Sequence, residues 1–417
     1  MKKSILKISI LLLIIFFLNF NCNLVSADDI DTTGTLNEIS INTSANITND
    51  LSNINSRAYV VIDRNTNLTL VGKNENQKRK MASTTKIMTS LIIIENCNLT
   101  DTVEISKKSA GTGGSRLGLK TGDKITVKDL LYGLMLCSGN DCAVALAEYS
   151  SGSVEEFAKK MNQKASDLGL TNTHFITPHG LDSEEHYTTA YELAILSNYA
   201  LNNKTFAQIV GTKNYTITLN GYPKTLTNTN ELLGNLNGVY GVKTGFTNGA
   251  NRCLVTACKR NNIDIICVVL GADTKNWRTK DSINLIEYCF NNFEPLNIKE
   301  IITKNFEDWK NENLSNFTIK KGNSISPIIE IENIPYEHIL IDKKQKDLIE
   351  IHFNCNYNLI APIKENSSVG NMDILIDNNV FLSCNIVIKN NIDKNDILDY
   401  LIIFIKDYPS IVDTLLK

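Results

Sequence analysis

The 417-residue chain is poor in tryptophan (2), histidine (5) and proline (7). It also lacks an excess of basic charge: 42 Lys and Arg face 45 Asp and Glu, a formal charge of −3. A phosphate-backbone binder needs a basic surface, so no nucleic-acid partner is expected. No C-x-x-C pair occurs among the 10 cysteines, and so long a chain does not need a disulfide framework. The thiols read as mostly buried and free, with a single disulfide left open. No H-E-x-x-H is present either, and the run Ile8–Phe20, at 13 residues, falls short of the ~20 that span a bilayer.

What is present is an ordinary globular composition, 42% hydrophobic and 21% charged, in a chain long enough for two or three domains. Lys2, Lys3 and Lys7 precede the apolar run, and Val25-Ser26-Ala27 follows it, the pattern of a secretory signal peptide over 1–27. Its removal takes three lysines and no acid, moving the formal charge to −6. Residues 28–56 are rich in Asn, Thr, Ser and Asp and read as a mobile polar spacer. Order is expected from Ala58, with a hairpin formed by Ala58–Asp63 and Leu68–Val71.

Helical spacing follows over Thr84–Glu95, Val127–Cys137, Asp141–Tyr149, Val154–Leu168 and Thr189–Leu201. Strands are predicted at Gly241–Thr247, Cys253–Lys259 and Asp264–Leu270, then a helix at Ser282–Phe290. Strands, helices, then strands again predict an α+β domain with a helical insertion, over 57–298. After Pro295 the alternation of Ile349, Ile351, Phe353 and Cys355 with polar residues predicts a small β-rich domain over 299–392, with a final segment over 393–417.

Ser83-Thr84-Thr85-Lys86 opens a predicted helix, so the Lys86 amine lies one turn from the Ser83 hydroxyl. A serine is a weak nucleophile until a base takes its proton, and a lysine can be that base only when its ammonium is destabilised. Alone the pattern is weak, and S-x-N and K-T-G each recur by accident. Only Ser83…Ser138…Lys243 gives S-x-x-K, then S-x-N between helices, then K-T-G on a strand. The other match, Lys120-Thr121-Gly122, reads as a turn. That ordered set is the one found in β-lactamases and penicillin-binding proteins.

With Leu130–Asp141, Pro178-His179-Gly180-Leu181-Asp182, His186–Ala190 and Gly241–Thr247, the chain resembles the serine-type D-alanyl-D-alanine carboxypeptidases of peptidase family S11, the low-molecular-mass penicillin-binding proteins. The resemblance implies a β-lactamase/transpeptidase-like domain, an antiparallel sheet flanked by helices plus an all-helical subdomain, followed by the small β-rich domain. It implies that Ser83 attacks the D-Ala-D-Ala bond of peptidoglycan stem peptides, with Lys86 as base. Ser138 would relay a proton to the leaving D-alanine, Asn140 would hold Lys86 and the substrate amide, and Lys243 would supply positive field. Thr244 and Arg278 would bind the terminal carboxylate. The backbone N–H groups of Ser83 and Phe246, beside Gly245, would form the oxyanion hole, with Phe246 where the family often has His. No cofactor or metal is implied, β-lactams are expected inhibitors, and the location is the outer face of a bacterial cytoplasmic membrane or the cell wall.

Three rivals stand beside this reading. A class A β-lactamase needs a deacylating acid between the second and third motifs; Thr173–Thr177 offers none, and Glu231 lies only 12 residues before Lys243. A metallopeptidase could use His174, His179, His186 and Asp182, but without a helical ligand pair. A non-catalytic wall-binding protein would be expected to have lost Ser83, Lys86 or Lys243, and all are present. In Asp396–Tyr408, six apolar residues share a segment with several acids, so a membrane-surface helix and a helix packed on the C-terminal domain stand as equal readings.

Overall fold

Ile263–Ala272 is apolar almost throughout, which is how a strand covered on both faces reads. In the computed structural model, which describes residues 51–324 and 326–407, every residue of that strand is buried. It sits at the centre of a five-stranded sheet. Taking β1 as Ala58–Asp63, β2 as Thr69–Lys73, β3 as Val239–Thr247, β4 as Asn251–Arg260 and β5 as Ile263–Ala272, the order is β2-β1-β5-β4-β3. β3 and β4 are antiparallel, with Lys243 opposite Val255 and Phe246 opposite Arg252. β3 is an edge, so alternate backbone groups along it face away from the ladder.

The longer helices before β3 are α1 (Lys86–Asn96), α2 (Val127–Leu136), α3 (Asn140–Ser151), α4 (Val154–Asp167) and α5 (Ala190–Leu201), with two short ones at Lys107–Ala110 and Lys204–Val210. The longer helices share one hydrophobic cluster with the sheet, including Ile62, Met88, Leu91, Leu134, Phe157, Leu196 and Val268. α1 is buried on every side from Lys86 to Ile93, so it is a central helix rather than an amphipathic surface one. α2, α4 and α5 begin on threonine or serine caps whose oxygens accept from the third residue on. α6 (Lys275–Asn292) follows β5 and starts earlier than the helix expected at Ser282.

The described chain divides into two compact units. One runs to Ile62 and continues through Val71–Arg260 and Ile265–Glu287; the other holds Asp63–Leu70, Asn261–Asp264 and the chain from Tyr288. The second unit has its own core, including Leu296, Ile298, Ile302, Phe306, Ile341, Met372 and Ile386. Its four-stranded sheet is β6 (Ile329–Ile331), β7 (Ile349–Cys355), β8 (Ser368–Ile376) and β9 (Asn379–Ile388), in the order β6-β9-β8-β7 with every pair antiparallel.

Several expectations need correction. A division after 298 comes too late, because Leu296 and Ile298 already belong to the second core. The β-rich segment over 299–392 also opens on a helix, α7 (Ile298–Asn313), whose Ile298, Ile302 and Phe306 form the buried stripe. The spacer over 28–56 is not mobile at its end, since Ser56 N and Oγ both donate to Asp281 Oδ2 at 2.7 and 2.6 Å. The expected leader and most of the spacer lie outside the described residues. All nine described cysteines are free, and Cys253 and Cys258 are both buried on β4. The helix α8 (Ile397–Asp407) is not packed on a core: Ile397, Leu401, Ile402 and Phe404 are exposed. No described helix is long and apolar enough to cross a membrane.

Candidate active site

Ala82–Thr85 form one 3-10 turn running into α1. Side chains three apart eclipse in such a turn, which stacks Lys86 on Ser83 more closely than an α-helix would. Lys86 Nζ lies 2.7 Å from Ser83 Oγ, 2.7 Å from Asn140 Oδ1 and 3.0 Å from the carbonyl oxygen of His179. The amide of Asn140 is fixed by its other end, where Nδ2 donates to Gly113 O at 2.7 Å. Oδ1 can therefore only accept, as can the His179 carbonyl. Ser83 is the one member of this trio with a proton to give. A neutral amine that donates to the two fixed acceptors has its lone pair left for the serine O–H. Lys86 is wholly buried and Ser83 is 8% exposed.

Two glycines set how closely other segments approach the nucleophile. A Cβ on Gly245 would meet Ser83 N at 3.1 Å and Ala82 Cβ at 3.2 Å, so β3 runs directly along the turn. A Cβ on Gly180 would fall 1.9 Å from Ala82 O, and its φ of +89° is one that glycine adopts freely. Ala82 and Ser138 have φ of +49° and +60° with side chains attached, so strained backbone flanks the site at two points.

Sequence reasoning missed the supports of this arrangement. Ile176 N donates to His186 Nδ1 at 2.9 Å, which fixes the proton on Nε2. Nε2 then donates to Thr85 Oγ1 at 2.8 Å, and Thr85 Oγ1 donates to Ala82 O at 2.8 Å. This relay ties the carbonyl before the nucleophile to a loop about 100 residues on. Burial, with the neighbouring His174 ring, lowers the His186 pKa to about 4; burial, with Lys86 and His186, lowers that of His179 to about 3. Asp141 is equally structural: its buried carboxylate accepts from the backbone N of Leu117, Gly118 and Leu119 at 2.8–3.0 Å. An acid in the first turn of α3 was the available signal.

The remaining expected residues are placed as follows. Ser138 is buried and its Oγ has no hydrogen-bond partner among the described residues. Lys243 is buried, with Nζ donating to Thr244 O at 3.0 Å. Thr244 Oγ1 is 2.7 Å from Thr229 Oγ1. The Arg252 guanidinium covers the Phe246 ring, 3.8 Å from its centroid. Thr244 and Arg278 line one cavity of about 220 Å³. Arg278 is not bare, however: its Nη2 donates to Glu231 Oε1, which also accepts from Thr279 Oγ1. Glu231 Oε1 is thus committed to Arg278 and Thr279, while its buried Oε2 has no hydrogen-bond partner among the described residues. The histidine cluster is committed too, with Asp182 accepting from Thr247 Oγ1 and Gly249 N, and no metal-binding group occurs among the described residues.

A family model described as D-alanyl-D-alanine carboxypeptidase matches residues 43–274, more than half the chain. The chain belongs to that family. D-alanyl-D-alanine carboxypeptidase DacF of Bacillus subtilis is 34% identical over 354 residues, 83% of this chain and 88% of its own. Penicillin binding protein 5 of Haemophilus influenzae superposes with a TM-score of 0.66 at 28% identity, covering 82% of this chain and 98% of that one. The Streptomyces K15 DD-transpeptidase gives 0.55 at 36% identity, covering 57% and 98%. Nearly the whole of that chain is thus matched by little more than half of this one. The family's fold and its serine carboxypeptidase activity are those the motif order implied.

Proposed function

We propose that this chain removes the terminal D-alanine of peptidoglycan stem pentapeptides through an acyl-enzyme on Ser83. The observation that carries the proposal is the trio of Ser83 Oγ, Asn140 Oδ1 and the His179 carbonyl around Lys86, in which Ser83 is the member able to give a proton. As the Ser83 Oγ–C bond forms, its proton passes to Lys86. The C–N bond then breaks, and the proton reaches the departing amine by way of Ser138, whose buried hydroxyl has no hydrogen-bond partner among the described residues. Lys243 adds positive field, Thr244 and Arg278 take the terminal carboxylate, and the N–H groups of Ser83 and Phe246 bind the oxyanion. Water then adds its oxygen to the acyl carbon while its proton goes to Lys86. As the C–O bond to Ser83 breaks, Lys86 returns that proton to Ser83 Oγ, releasing the shortened peptide.

A penicillin presents the same carbonyl and carboxylate and would acylate Ser83 likewise. Slow release of that adduct is expected, because Glu231, the acid nearest the third motif in sequence, serves Arg278 rather than a deacylating water. This substrate lies outside the cytoplasmic membrane, which fits the leader expected at 1–27. α8 would rest on the membrane surface with its exposed apolar residues. D-Alanine release from a soluble pentapeptide ending in D-Ala-D-Ala tests the proposal: wild type releases it and Ser83→Ala does not. No release from wild type would favour a wall-binding protein without activity.

A further inference from the structure

The carboxylate expected to meet Arg278 comes from the substrate, yet the chain already sets one against it. Glu231 and Arg278 form a buried ion pair, their side chains 9% and 4% exposed, with Nη2 donating to Oε1. Thr279 Oγ1 donates to the same oxygen. Burial alone would raise the Glu231 carboxyl, but the Arg278 guanidinium and the Thr279 hydroxyl hold it below its ordinary range, so it is anionic at working pH. Arg278 Nε is buried without an acceptor among the described residues, so one edge of the guanidinium is held and another is not. Glu231, Arg278 and Thr244 line the same cavity, with Lys213 and Lys275 also on its wall.

Resting on the carboxypeptidase reading, we infer that Glu231 is a positioning residue that tunes specificity for the substrate's terminal carboxylate. It orients Arg278, and its charge weakens the grip of Arg278 on a second carboxylate. Two anions on one guanidinium share its field and repel each other, so the terminal acid binds less tightly than to an unpaired arginine. A peptide ending in an amide feels no such repulsion. Glu231 therefore narrows the discrimination between acid and amide termini, a difference of affinities set by a built-in repulsive element.

Glu231→Gln keeps an acceptor for Arg278 and Thr279 but removes the charge. The test measures KM and kcat for D-alanine release from the acid-terminated pentapeptide, with the Ki of the same peptide ending in D-alaninamide. In the variant KM should fall about tenfold with kcat little changed and the amide Ki unmoved. A KM that stays or rises, or acid and amide moving together, overturns the inference. If Glu231→Gln does not fold, Thr279→Val removes the hydroxyl that shares the Glu231 charge. KM for the acid should then rise with the amide Ki unmoved, and any other shift overturns the inference. Failure of wild type to release D-alanine would instead defeat the carboxypeptidase reading itself.

Discussion

At Lys86 the chemistry turns on which neighbour can surrender a proton. Replacing it with methionine keeps the buried volume but removes the base, and D-alanine release should fall by about 10³, within the range of general-base losses. A steady-state assay on the folded variant checks this; activity within tenfold of wild type would place the base elsewhere. His186 makes a pH-dependent prediction. Its folded pKa of about 4 lies below the unfolded value of ~6.5, so between those pH values the unfolded chain binds a proton that the folded chain does not. The stabilisation is whole above about pH 6.5 and is lost as pH falls towards 4, by about 3 kcal/mol. Melting temperature should drop across that window, and His186→Asn should flatten the slope. Ser83, Lys86 and Asn140 were legible in the sequence because each falls within a short motif. His186, Asp141 and Glu231 were not, because each acts through a partner 20 to 100 residues away, and a single histidine or acid carries no periodic signal.

Among elements, the 3-10 turn and the edge strand β3 define the site between them. Gly245→Ala places a methyl 3.1 Å from Ser83 N and should push β3 from the turn by a few tenths of an ångström. Acylation by benzylpenicillin should slow up to about 10²-fold, since small displacements in a catalytic arrangement carry such effects. Stopped-flow acylation rates and a melt would separate this from unfolding. Gly180→Ala is different in kind, as its methyl would overlap the Ala82 carbonyl in a left-handed backbone. It should destabilise the fold by about 3 kcal/mol or more, read by chemical denaturation. The longer helices of the motif domain were legible from 3.6-residue spacing, while those at Lys107–Ala110 and Lys204–Val210 were too short to show a period. The turn at Ala82–Thr85 was not, because one 3-10 turn and the first turn of an α-helix share a sequence pattern. α7 went unseen since its stripe is only Ile298, Ile302 and Phe306 amid charge.

At the scale of the whole molecule, the two cores and α8 make separate contributions. The motif order located the first unit, while the limits of the second depend on Leu296 and Ile298 packing with residues up to Ile392, which local composition does not reveal. A chain ending after Asn395 keeps Ile392 in the core and the bond from Asn395 N to Lys321 O, and loses the exposed helix together with the residues after it. It should release D-alanine from a soluble peptide as well as the full chain, yet no longer sediment with anionic phospholipid vesicles. Equal sedimentation of both would show that α8 is not the membrane contact.

The most direct test of the central claim is peptide mapping by mass spectrometry after incubation with benzylpenicillin. One adduct of the whole β-lactam mass should appear, on the peptide containing Ser83, and should be absent from Ser83→Ala. An adduct on any other residue, or its persistence in Ser83→Ala, would contradict the account.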